Sequence, residues 1–585
     1  MAAATSHILA EPHDTSNTVI LHDKSQYCGT GDDVTIGSRI HYNRVYTVCR
    51  FPAEILEYIF LTTIADQPST IPPNISPEFT TRQPWLALLT HVCTRWRAIC
   101  LEAPRLWTRT CISDYLSKKW RIVFMRRSGS VPLHIRLSGS RSDTIQEEIL
   151  SHLHRVQVLH LADLFNNARH FVERLWTQSA PVLTELHLGF VFLHAGRSPF
   201  TWPTSIHDFA PRLQVLTIYS VSGRYTLPCL FAAENLTHFD VDLKLDLSKA
   251  LKCLHRNSQI SFFRTSTFDS TAGVHTAPHS PPSTEPAIII LPQLRTLVIR
   301  LESDSFSHKL AFLQHIKARS LRRLIMTPLH EDLESAWPVP VDDVGTRVNL
   351  VKLIAPHLST MRDNIGPLRS FSLTIQSGEG ISFLGSVDLP LRWEAMGHRV
   401  VAMHEEDLPQ ILLQTDWNNT EPASETVRFV RTACHLWPLS DVRVLSMDAL
   451  DVSVSTDEWR AILGPQFSRV TELHFFNTLP SLSLLRACTP GDPSTFLDVH
   501  VTQMDPFIFP LLTKIVIDYP GALMAPVDTL VEHHIYAAIL ALAISRGQHN
   551  SPVAFELHGC KGLALPIAAL QGVAEVSVLE GRAFN

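Results

Sequence analysis

The chain has little charge of either sign and no apolar stretch long enough to be a membrane span. Asp, Glu, Lys and Arg make up 18% of its 585 residues, with a formal balance of −6 and a pI near 6.6. A balance this slight and this acidic gives no overall attraction to nucleic acid or to an anionic membrane. The longest apolar run of helical character, residues 535–544, is ten residues rich in alanine, about half of what a bilayer-spanning helix needs. The opening residues hold no basic segment followed by an apolar core, so no secretory signal is expected there. Ten cysteines are scattered without a C-x-x-C pair, and several fall on apolar helical faces. That is the pattern of a reduced chain, expected in the cytoplasm, the nucleus or both.

Motifs that carry chemistry are missing too. There is no G-x-x-x-x-G-K-[ST] phosphate cradle, no G-x-S-x-G elbow and no H-E-x-x-H zinc helix. Gly378 and Gly380 with Gly385 lack the spacing of a dinucleotide loop and read as a turn. The thirty histidines are dispersed. Pairs such as His152 with His154, or His533 with His534, lack the Cys or carboxylate company of a metal site. Cys93 and Cys100, seven apart, read as small apolar residues of a helical stripe. The expectation is a non-enzymatic protein with no cofactor, no metal and no catalytic residue.

What is present is enough apolar sequence, 45%, for most of the chain to fold. The length suggests three or four domains, or fewer in a repeat architecture, which grows without a central core. Residues 1–45 are polar and aperiodic, a disordered lead-in by composition. Beyond residue 130 one pattern recurs: an apolar residue, two others, a second apolar, one other, a third apolar. Copies start at Val156, Leu183, Leu213, Leu236, Leu294, Leu321, Leu368, Val442, Val470 and Leu512, and a last one runs Val573, Val576, Val578. The first four start 27, 30 and 23 residues apart, and two later pairs 27 and 28 apart, near the leucine-rich-repeat period. The first apolar residue closes a turn, and the next two point inward from a short strand. One such unit cannot bury its own apolar face, so neighbours must stack. Gaps of 47 and 74 residues after Leu321 and Leu368 make the series irregular. Residues 265–286, rich in Ser, Thr and Pro, and residues 418–425 read as inserted loops. An amphipathic helix is expected over 527–545, followed by a strand at 553–560.

Residues 51–109 stand apart from the repeats. Ile55, Leu56, Ile59 and Phe60 recur at helical spacing behind Pro52. Trp85, Leu88, Leu89, Val92, Cys93, Trp96, Ile99 and Cys100 do so again on a helix or joined helix pair. The segments Phe51-Pro52-Ala53-Glu54-Ile55-Leu56, Thr90-His91-Val92-Cys93-Thr94-Arg95-Trp96-Arg97 and Pro104-Arg105-Leu106-Trp107 resemble the F-box. That module is the docking unit of Skp–cullin–F-box ubiquitin ligases. Phe51 replaces the usual Leu, and a Pro-rich insertion near residues 67–84 separates the first helix from the rest. In this the chain resembles the divergent F-box-like proteins of mushroom-forming fungi, which carry such insertions.

The resemblance implies an α/β protein with an F-box-like helical module at 46–112. An irregular leucine-rich-repeat-like solenoid would follow over 113–585. It implies a substrate-recognition adaptor: the module grips the Skp-type linker subunit and, through it, a cullin, while the repeats hold an unknown protein substrate. No nucleic-acid or membrane partner is implied. Pro52, Ile55, Leu56, Ile59 and Phe60 would contribute to the linker interface, and Leu88, Val92, Trp96 and Trp107 would be shared between the module's core and that interface. The alternative is a repeat scaffold with a relic F-box that enters no ligase. The basic segment 117–128, with Trp120 and Phe124 among its charges, reads as a helix whose charged face is solvated while Trp120, Val123 and Phe124 pack on the F-box.

Overall fold

A computed structural model describes residues 50–65, 85–108, 117–138, 143–164, 169–190, 206–220, 234–269, 288–301, 306–328, 344–376, 380–387, 409–415, 423–449, 454–476, 480–489, 507–518, 529–558 and 567–579. The polar lead-in, the Pro-rich insertion and most of the two expected loops lie outside these residues. The chain divides into two compact units with a boundary between Ala103 and Pro104. The first comprises α1 (Ala53–Ala65), α2 (Trp85–Leu89) and α3 (Thr94–Glu102).

The second unit opens with a 3-10 turn, Pro104–Trp107, and α4 (Lys118–Arg127). Strands then alternate mostly with helices: β1 (Leu133–Ser138), β2 (Val156–Leu164), β3 (Glu185–Phe190), β4 (Val215–Ser220), β5 (His238–Asp246), β6 (Phe262–Asp269), β7 (Ile289–Ile290), β8 (Thr296–Leu301), β9 (Ile316–Lys317) and β10 (Arg323–Pro328). After α5 (Val344–Ile365) come β11 (Ser370–Gln376), β12 (Gly380–Ser386), β13 (Ile411–Thr415), β14 (Val444–Ala449), β15 (Glu472–Phe476), β16 (Lys514–Asp518), β17 (Ala554–His558) and β18 (Val576–Leu579).

Sixteen of these strands form one sheet, ordered β1-β2-β3-β4-β5-β6-β8-β10-β13-β12-β11-β14-β15-β16-β17-β18, and β7 pairs with β9 separately. All pairs are parallel except β11 with β12 and β12 with β13. The α/β class expected from the sequence is therefore present, with a parallel-dominated sheet.

The register explains why the repeated pattern folds this way. Leu159, Leu186, Leu216, Phe239, Phe263, Leu297 and Leu324 stand opposite one another on successive strands, and so do Leu161, Leu188, Ile218, Val241, Thr265, Ile299 and Met326. Beyond β12 the same two rows continue through Phe371, Leu445, Leu473, Ile515 and Phe555, and through Leu373, Met447, Phe475, Ile517 and Leu557. In the ten copies from Val156 to Leu512 all three apolar positions are buried. The leading residue of each copy closes a turn, as where Leu183 donates its N–H to Ala180 and Leu213 to Ala210. The eleventh copy departs from expectation: Val573, before the edge strand β18, and Val578, within it, are exposed.

The two long gaps have a structural cause. The first is filled by α5, which runs through Pro356 and stops at Gly366 (φ +93), followed by Pro367; glycine tolerates this left-handed turn and closes the last helical turn onto Arg362. The second holds β12, β13 and the helix Ala423–Leu436. Phe371, Phe383, Phe467 and Trp437 gather where the strand direction reverses, with Phe383 and Trp437 edge-to-face at 5.0 Å.

Three expectations need correction. Thr265–Asp269 belong to β6, and Thr265 is fully buried, so the loop expected from residue 265 starts later. Residues 423–425 begin a helix rather than sit in a loop. The charged face of α4 is not wholly solvated: Arg121 is buried and lies 3.5 Å from the Glu148 carboxylate. Phe124 of α4 is buried and meets the Trp107 ring edge-on at 5.0 Å, a contact within the second unit. The expected C-terminal helix and strand are present as Thr529–Gln548 and β17.

Candidate protein-docking surfaces

The helical unit is short of core. Pro52 caps α1, its carbonyl accepting from the Ile55 and Leu56 N–H groups at 3.1 Å. Leu56 and Phe60, one helical turn apart, are buried, and Phe60 meets the ring of Trp96 on α3 edge-on at 4.7 Å. The apolar stripe over 85–100 is not one helix. Cys93 breaks it, its extended backbone starting α3 while its Sγ accepts from the Trp96 N–H at 3.4 Å. Arg95 donates to the Phe51 carbonyl at 2.7 Å and Arg97 to the Thr90 carbonyl at 2.8 Å. Both guanidinium groups thereby tie α3 to the segments before it.

Several apolar side chains of this unit face outward. Ile55 is 44% exposed, Leu88 50% and Val92 57%, while Ile59 and Phe51 are also exposed. Of the nine residues expected at a linker interface, Pro52, Ile55, Ile59, Leu88 and Val92 are exposed, and Trp96 is half-buried. Leu56 and Phe60 are core. Trp107 lies in the second unit, buried between Phe124 and the Arg127 guanidinium, which sits 5.0 Å over its ring. Sequence reasoning missed Tyr58, the most exposed of all at 69%, and Leu101. Tyr58 follows Ile55 by three, so the helical spacing already carried it.

The sheet has a second face, opposite the buried rows, and it changes character along its length. On the first strands it is polar. His160 lies 3.2 Å from the Tyr219 hydroxyl and 5.3 Å, ring to ring, from His187. Gly189 leaves room for the Tyr219 ring, since a Cβ there would sit 2.4 Å from it. The His187 ring, 3.8 Å away, with His134 and Arg136 nearby, holds the Glu185 carboxyl below its usual range. Arg264 and Asp240 pair at 2.7 Å. In the middle Val298, Ile325, Leu384 and Leu412 are buried on this face as well. Further on it is polar again, with Lys514 2.9 Å from Glu556 and His474 3.1 Å from Glu472. Burial outweighs the Glu472 hydrogen bond and lowers the His474 pKa, keeping the ring neutral near neutrality.

Burial pushes the thiols of Cys100, Cys253, Cys434 and Cys488 up to about 12, so none is a thiolate at physiological pH. Among the described residues no group of three or more His, Cys, Asp and Glu side chains is placed to hold a metal ion. No helix among them is long and apolar enough to cross a membrane. Neither a family model nor a curated protein matches this sequence.

Proposed function

We propose that the chain is the substrate-recognition adaptor of a Skp–cullin–F-box type ubiquitin ligase. In this reading the helical unit is a divergent F-box, and the second unit is an irregular leucine-rich-repeat-like solenoid that carries the substrate. The observation that carries the proposal is the exposure of Ile55, Ile59, Leu88 and Val92 on a small helical unit, within the segments that resemble the F-box. Fully burying a large apolar side chain contributes roughly 1.5–3 kcal/mol. Four such anchors sustain a docking site even after ordering costs are subtracted. The solenoid reading is supported by strands that neighbour one another mostly in chain order and by two continuous buried rows. The adaptor does no chemistry. It raises the effective concentration of substrate beside the ubiquitin-charged enzyme.

The test is co-purification of the full chain with the Skp-type linker and a cullin, against a chain carrying Ile55→Asp and Val92→Asp. Recovery of both partners by the wild type and loss by the folded variant is the expected result. A folded wild-type chain that recovers neither partner leaves the scaffold with a relic F-box.

A further inference from the structure

Four arginines share one register position, the residue directly after the leading apolar residue of a copy. They are Arg295, Arg322, Arg369 and Arg443. Arg322 donates its backbone N–H to the Arg295 carbonyl at 2.7 Å, and Arg443 donates to that of Arg369 at 2.8 Å. Each pair therefore sits on adjacent strands, with β13 and β12 between the pairs. The row spans five strand spacings, roughly 24 Å. All four side chains are exposed, and among the described residues no carboxylate lies against them, whereas other arginines of the same unit are neutralised. Arg264 pairs with Asp240, Arg174 with Glu147, and Arg362 and Arg469 share Asp441. Like charges facing one another on neighbouring strands destabilise a sheet, so folding alone gives no reason for this row.

Two more features sit at the same end of the strands. Lys317 and Arg319, both exposed, precede the turn that leads to Arg322. Ile290, paired in register with Ile316's neighbour Lys317, is 51% exposed, and Ile288 beside it is exposed as well. The edge thus combines a line of cations with an apolar foothold. Modules that grip single-stranded nucleic acid stack bases on aromatic rings, and the exposed large apolar side chains here are isoleucines. Guanidinium groups bind carboxylates and phosphates through paired N–H donors.

We infer that this edge binds an extended, acidic protein segment that carries one apolar residue, its carboxylates on the arginine row and its apolar side chain on Ile288 and Ile290. About seven extended residues cover the row. Within the adaptor reading the segment belongs to the substrate, and that attribution rests on the reading; the binding itself does not.

The experiment uses the full chain and fluorescence anisotropy with a labelled peptide of alternating acidic residues around a single leucine. Comparison probes are the same peptide with lysines in place of the acids, a single-stranded oligonucleotide, and phosphatidylserine vesicles. The expected result is binding of the acidic peptide alone. It should weaken as salt rises from roughly 50 to 200 mM and fall at least about tenfold for a chain with Arg322→Glu and Arg369→Glu. An unchanged melting temperature excludes misfolding, and Lys119→Glu, outside the row, should bind as wild type. Binding indifferent to the reversal, capture of the oligonucleotide or the vesicles instead, or no binding at all overturns the inference. Linker co-purification is run on the same two chains. Its loss with peptide binding intact strikes only the adaptor reading, and the converse strikes only this one.

Discussion

The two units treat apolar side chains in opposite ways. In the sheet unit, ten copies of one pattern bury every one of their apolar positions, because each strand finds the next at the same register. In the helical unit three short helices bury Leu56, Phe60, Leu86, Leu89, Ile99 and Cys100 and leave Ile55, Tyr58, Leu88 and Val92 in solvent. A unit this small has little interior to offer. The difference teaches that a stacked strand buries its apolar positions through its neighbours, whereas a short helix in a small unit must leave part of its apolar surface in solvent.

The largest effect that tests this contrast is a cavity in a buried row. Phe263 stacks between Phe239 at 5.2 Å and Phe312 at 5.5 Å, so Phe263→Ala should lower stability by about 3–5 kcal/mol. A urea midpoint that hardly moves would break the comparison. Next comes the pair Ile55→Asp with Val92→Asp, which should abolish linker capture while changing stability by no more than about 0.5 kcal/mol for each exposed site. A large loss of stability would place those side chains in a core instead.

Smaller changes sharpen the picture inside the sheet unit. The Thr265 hydroxyl is fully buried and has no hydrogen-bond partner among the described residues. Thr265→Val keeps the shape, removes the unsatisfied group and should raise stability by about 1 kcal/mol. The smallest expected effect is on pH dependence. Burial lowers the pKa of His357 on α5, against a hydrogen bond to the Leu313 carbonyl that raises it. The folded state therefore binds this proton less readily than the unfolded chain. The contribution is fully present above the unfolded value near 6.5 and is lost as pH falls through the folded one. His357→Gln should flatten the acid side of the stability profile, and an unaltered profile would assign that slope to other groups.

The sequence made the repeated strands legible because leucine, isoleucine and valine stand at three fixed positions in most copies. It hid β6, where the pattern runs Ile260, Phe263, Thr265 and a polar residue takes the third place. It hid β12, which runs against both its neighbours and carries no copy of the pattern; β13 does carry one, Leu408, Ile411 and Leu413, which stands inside the longest gap of the series. The helical segment 85–100 looked like one stripe, since periodicity does not register a cap such as Cys93. Position on that stripe also did not say which residues face inward: Leu88 and Val92 have the same spacing as Ile99 and Cys100, yet only the latter are buried. The arginine row was invisible for a different reason. Its members are dozens of residues apart, and only strand pairing brings them side by side.

The reversal at β12 also has a consequence in time. From β1 to β10 each strand of the large sheet can pair as soon as the next one of that sheet has left the ribosome. β10 must wait, because its partner β13 lies beyond α5, β11 and β12, with Leu324 opposite Ile411. Synthesis at roughly 5–20 residues per second turns that separation into a pause of seconds, during which the growing edge of the sheet stays open while α5 and the hairpin of β11 and β12 can form ahead of it.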